Sequence, residues 1–277
     1  RDKIEEYKIN TLTPRKYGGT LSWLASEGKD DEQTDGIATS EAIKKLDEFA
    51  KGKIPFFLAV GFFRPHTPFV APKKYFDLYK REKIEIPEIS SEYYTTLPEP
   101  ALKSIRAKKN QLDLQKELAQ EIKEAYYATI SFVDAQVGKI LDHLESKGLD
   151  KNTIIVFTSD HGYHLGEHGH WQKNTLFENS TRIPLIISVP NLENKSVISN
   201  SPVELIDLYP TLMDLTNLNT PQHVVGKSLK PLFMNPNASV RESALTRWRN
   251  GYSIKTKRYR FTKWGVNGEL GYELYDH

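Results

Sequence analysis

The chain has 277 residues, 38% of them hydrophobic and 27% charged, and it contains no cysteine. That length suits one large domain or one domain with a small companion, and no apolar run reaches the roughly 18 residues of a membrane span. The absence of Cys excludes disulfides, thiolate metal sites and a Cys nucleophile within these residues. A net charge of +2 is too near zero to argue for nucleic acid.

The chain opens Arg1-Asp2-Lys3-Ile4-Glu5-Glu6, with neither an initiator Met nor a signal peptide, so the natural amino terminus is expected to lie upstream. Residues 1–35 are polar and read as surface loop. Ala38, Ala42, Ile43, Leu46 and Phe49 recur at helical spacing, which predicts a helix ending at Ala50. The apolar run 55–60 is too short for a helix and reads as a strand buried on both faces, as in a parallel sheet. Residues 70–112 read as an insertion with a short helix over 75–79. Residues 118–144 form the clearest helix, with an apolar stripe through 118, 122, 126, 130, 133, 137, 140, 141 and 144. Two further strands are expected at 154–157 and 184–189, and a helix at 204–215.

From Ala244 the pattern changes. Tyr252 and Ile254 alternate on even positions and Tyr259 and Phe261 on odd ones, so a hairpin turn is expected across 255–258, with a third strand at 272–275. The fold class is therefore α/β, a mostly parallel sheet flanked by helices, with a small C-terminal antiparallel β subdomain. The division falls into 1–235 and 236–277.

The richest segment runs from Thr153 to Lys173. A buried strand there ends in Ser159, Asp160, His161 and Gly162, placing a carboxylate and an imidazole at a strand's carboxyl end, where open α/β sheets bind ligands. Asp160 and His161 suit a shared metal ion, and Lys173 suits an anion. Their structural alternative is a capping Asp and a packing His. His164, His168 and His170 have spacing that resembles zinc ligands, against the alternative of loop residues ordered by hydrogen bonds around Gly166 and Gly169. His66 follows the 55–60 strand between two prolines, so two strand-end loops each offer a His; packing between the prolines is the other reading. Seven Lys or Arg and no acid lie between Arg247 and Lys263. They either guard an exposed edge strand or, with Arg247 and Trp248, bind an anionic sugar. Asn179, Asn194 and Asn237 head Asn-x-Ser/Thr triplets that chance also produces.

Thr158-Ser-Asp-His-Gly162, Leu165-Gly-Glu-His-Gly169 with Trp171 and Lys173, Phe56-Phe-Leu-Ala-Val-Gly-Phe-Phe-Arg-Pro-His66, and Glu204-Leu-Ile-Asp-Leu-Tyr-Pro-Thr211 together resemble a type I sulfatase of the alkaline phosphatase superfamily, in its iduronate-2-sulfatase-like branch. The resemblance implies hydrolysis of sulfate esters by a formylglycine, made from Cys or Ser in a Cys/Ser-x-Pro-x-Arg motif, with a calcium ion (Ca2+). It implies that Asp160 and His161 hold the calcium and that His66 and Lys173 contact the sulfate. A His beside the leaving oxygen can also donate a proton.

The amino-terminal third of the family, with the formylglycine motif and further calcium ligands, has no counterpart here. Residues 11–15 have the wrong spacing for that motif. The chain is thus expected to be part of a longer protein and inactive alone. A sulfated carbohydrate is the expected partner, with the missing amino-terminal part. Periplasmic or secreted localisation is expected rather than lysosomal. A phosphodiesterase or phosphonate hydrolase of the same superfamily, or a non-catalytic glycan-binding relative, are the alternatives.

Overall fold

The computed structural model describes residues 9–12, 21–52, 54–192 and 196–277. The loop expected at 17–20, most of the 11–15 tract and the Asn194 triplet lie outside them. In chain order come β1 (Asn10–Thr11), β2 (Ser22–Ser26), α1 (Thr34–Ala50), β3 (Phe69–Pro72), α2 (Lys73–Phe76), α3 (Ser91–Thr95), α4 (Glu99–Ile105) and α5 (Lys116–Ser146). Next are β4 (Ile155–Thr158), β5 (His164–Leu165), β6 (Trp171–Gln172), α6 (Glu178–Thr181), β7 (Leu185–Ser188), α7 (Leu208–Leu215) and α8 (Lys230–Met234). Last are β8 (Ala244–Trp248), β9 (Gly251–Lys255), β10 (Tyr259–Trp264) and β11 (Tyr272–Asp276). They fall into two compact units, Arg1–Glu88 with Lys108–Ile154, and Ile89–Ala107 with Ile155–His277.

In the first unit β2 pairs antiparallel with β1 and parallel with β3. Leu21, Trp23, Phe69 and Ala71 are buried, so 21–26 is core strand rather than surface loop. α1 begins four residues before its apolar repeat and buries Thr39, Ala42 and Leu46. α5 is the expected long helix, but its buried stripe runs through Ile122, Ala125, Ala128, Thr129, Phe132 and Gln136. Ile130 and Leu141 of the expected stripe are exposed. Small Ala and Thr side chains set that face because they admit close neighbours, a choice that counting bulky residues misses. Phe69 and Tyr75 meet α5 edge-on, at Tyr126 and Phe132. The run 55–60 pairs with no strand among the described residues, and Phe57 is 83% exposed. The expectation of burial on both faces fails because a strand's backbone groups need neighbouring strands on each side.

In the second unit β4 pairs antiparallel with β7, register Val156 to Ile187. Besides the short hairpin β5–β6, their connection carries a single α-helix, the four-residue α6, too little for the crossover helix that a parallel pairing uses. Strand directions in the α/β part are thus mixed. The C-terminal sheet has the order β11-β10-β9-β8, antiparallel throughout, with the β9–β10 turn where the alternation switches phase. Its inner face packs Trp264 on Ala101, Ile105, Leu176 and Phe177. Gly251 is required there, because a Cβ would lie 2.5 Å from Leu176 and 2.6 Å from Trp264.

Candidate active site

β4 delivers the chain to a tight turn. The Ser159 hydroxyl donates to the His161 carbonyl (2.8 Å), and the Asp160 carboxylate accepts the His161 N–H (3.0 Å). His161 Nδ1–H donates to the Gly162 carbonyl (2.8 Å), which leaves Nε2 as a lone pair 3.6 Å from Asp160 Oδ2. The Asp160 side chain is 84% exposed and pairs with no Lys or Arg among the described residues. Gly162 seats the turn on α6: its N–H donates to the Ser180 carbonyl (2.8 Å), and a Cβ would meet the Asn179 carbonyl at 2.0 Å.

Lys173 lies in the loop after β6, between Gln172 and Asn174, both at positive φ (115° and 72°). Its ammonium makes no ion pair or hydrogen bond among the described residues. The loop is held from beneath by buried histidines. His170 Nδ1 lies 2.9 Å from the Ile105 carbonyl and Nε2 3.1 Å from the Lys173 carbonyl. His164 Nε2 lies 2.9 Å from Thr175 Oγ1, and Thr175 donates to Ser180 Oγ (3.0 Å). Ser180 therefore anchors both the Lys173 loop, by its hydroxyl, and the Asp160–His161 turn, by its carbonyl. His168 stacks on Phe177 (4.1 Å) and bonds Tyr93. Burial pushes the His164 imidazole well below its ordinary pKa, lowers that of His170 and brings His168 down to about 4. These three rings are hydrogen-bonded packing residues, and among the described residues no group of three or more His, Cys, Asp or Glu is placed to hold a metal.

His66 belongs to the first unit and is exposed. Its loop hangs from Asp35 at the start of α1, whose carboxylate accepts the N–H groups of Phe63 (2.7 Å) and Arg64 (2.9 Å). Buried Arg64 donates to the carbonyls of Val70 (2.9 Å) and His66 (3.3 Å). His66 Nδ1–H donates to the Thr67 carbonyl (2.7 Å), so its free nitrogen is Nε2. Arg247 and Trp248 are neighbours on β8 and so occupy opposite faces of the sheet. Arg247 is exposed over Tyr252 (5.3 Å), whereas Trp248 packs edge-on to Trp264 (6.4 Å) in the core. They do not form one patch.

Asp160 and His161 thus offer an exposed carboxylate and the imidazole Nε2 to one side, a donor set that fits two positions around a divalent cation. Lys173 offers a positive charge on a braced loop, uncompensated among the described residues. Sequence reasoning missed the residues that brace it. Tyr93, Tyr94 and Ile105 lie in what reads as an insertion, and only Trp171 and the glycine spacing of the loop hint that something packs there.

A family model described as sulfatase matches residues 3–218, and one described as N-sulphoglucosamine sulphohydrolase, C-terminal, matches 166–277. A sulfatase of Formosa agariphila is 35% identical over 95% of this chain and 52% of its own length. Human (Homo sapiens) iduronate 2-sulfatase is 31% identical over 83% of this chain and 56% of its own. The chain therefore spans about half the length of these relatives. Among solved structures, a phosphonate monoester hydrolase of Silicibacter pomeroyi superposes over 100% of this chain and 59% of its own, with TM-score 0.83 and 22% identity, a likeness of fold. With its strand-end Asp160-His161-Gly162 turn, its Lys173 loop and the extent of the family match, the chain belongs to the sulfatase family.

Proposed function

We propose that these residues are part of an enzyme that hydrolyses sulfate esters of a saccharide. The observation that carries this is the double anchorage on Ser180, which braces the Asp160–His161 pair and Lys173 on one short helix. Asp160 and His161 would hold a calcium ion, which supplies charge compensation to the sulfate oxygens when bound. Lys173 binds sulfate oxygen by charge and favours the more anionic transition state. His66 is proposed, from the family pattern, as a sulfate contact, its Nε2 donating only when that nitrogen carries a proton. A formylglycine would supply the nucleophile. It has no precursor in these residues, so this chain alone is inactive in this reading. The name of the iduronate 2-sulfatase relative supports a sugar sulfate. Arg247, exposed and basic, is a further saccharide contact on this reading. The site is expected to work outside the cytoplasm. No helix among the described residues is long and apolar enough to cross a membrane.

A phosphonate monoester hydrolase shares the fold, so it is the second reading. The natural polypeptide carrying these residues, assayed on a sulfated monosaccharide and on an aryl phosphonate monoester, separates the two. The sulfate ester is expected to have at least about tenfold higher kcat/KM, abolished by a calcium chelator. Preference for the phosphonate would overturn the proposal.

A further inference from the structure

Three histidines of the Lys173 loop are not used by the proposed chemistry, yet the two that are buried, His164 and His170, touch its supports. His170 is 3% exposed and lies between the carbonyls of Ile105 on α4 and of Lys173. Both acceptors are backbone groups, so the ring is packed between the Lys173 backbone and the core residue Ile105, donating to one carbonyl at a time. Positive φ on both sides of Lys173 leaves its loop little conformational preference of its own for this shape. Some outside contact must select it, and His170 is the side chain that reaches the Lys173 carbonyl.

On the reading of Lys173 as the sulfate-binding cation, we infer that His170 is a positioning residue that holds Lys173 in its anion-binding geometry. It touches neither substrate nor metal and acts through the backbone of Lys173. A neutral imidazole carries one N–H and serves one carbonyl at a time. Gln at this position has two amide hydrogens and can serve both, whereas Phe fills the space and serves neither.

The test compares the natural polypeptide carrying these residues with its His170→Phe and His170→Gln variants, using two readouts. The first is amide hydrogen exchange at Lys173 and Asn174 with no ligand present, referenced to exchange in β10. The second is protection of Lys173 from amine acetylation by inorganic sulfate. In His170→Phe, loop exchange is expected to rise about tenfold and the sulfate concentration for half-protection to rise about tenfold, with β10 unchanged; His170→Gln should restore both to within about threefold. Unchanged loop exchange and unchanged protection in His170→Phe would overturn the inference. If β10 loosens as well, the role is general stability and the inference fails. If the unmodified chain shows no protection by sulfate, the anion-binding reading fails, and with it any functional role for His170. The exchange result shows separately whether the tether exists.

Discussion

At Gly162 an added methyl group would sit 2.0 Å from the Asn179 carbonyl and 2.8 Å from that of Arg182. Both are backbone atoms, so no side chain can swing aside to relieve the clash. Gly162→Ala should therefore destabilise the second unit by about 3 kcal/mol, at the upper end of overpacking costs, and displace the Asp160–His161 turn. Urea unfolding followed by tryptophan fluorescence measures this. A midpoint unchanged from the parent would show that the turn does not depend on its seat against α6. The placement of Asp160 and His161 just past a strand's end was legible in the sequence, because a short apolar run precedes them. The orientation of Trp248 was not. Its charged neighbours suggested a surface, but the indole is half-buried edge-on against Trp264.

The element that orders the candidate site is the β5–β6 hairpin with its histidines. Burial keeps these rings neutral in the folded state, and His168 takes up a proton only near pH 4. An unfolded His titrates near 6.5. Between those values the unfolded chain binds more protons than the folded one, so stability rises with pH across the window. The stability is present in full above about pH 6.5 and is lost as the pH falls toward and through 4. For His168 alone the loss approaches roughly 3 kcal/mol. Urea midpoints measured at pH 7.5 and 4.5 check this. The parent should lose more stability on acidification than His168→Phe, which keeps the stack on Phe177 without the titrating ring. Equal losses would contradict the assignment. The sequence showed the histidines but not what covers them. The helical repeats of α1 and α5 and the hairpin phase switch stood out because each is periodic. By contrast α3 and α4 are five and seven residues long, too short for a period to register. β2 has the same difficulty: five residues of which only the burial of Trp23 and its neighbours reveals a core strand.

Across the whole molecule, burial of apolar side chains is uneven. Phe57, exposed within a run that pairs with no strand among the described residues, is one instance. The outer face of the C-terminal sheet is another, with Leu245, Tyr272 and Leu274 more than half exposed. Fold class survives this unevenness because it rests on the order of helices and strands, which the sequence carries. Strand direction does not, since the same apolar run serves a parallel or an antiparallel neighbour; β4 and β7 show it. Function is a property of the natural polypeptide, of whose relatives' length these residues span about half. The most direct test of the sulfatase reading replaces Lys173 by Ala in that polypeptide and follows release of sulfate from a sulfated monosaccharide. A fall in kcat of about 100-fold or more is expected, the size of effect seen when one preorganised charge-stabilising group is removed, with the fold intact by circular dichroism. Release of sulfate at the parent rate would contradict the account.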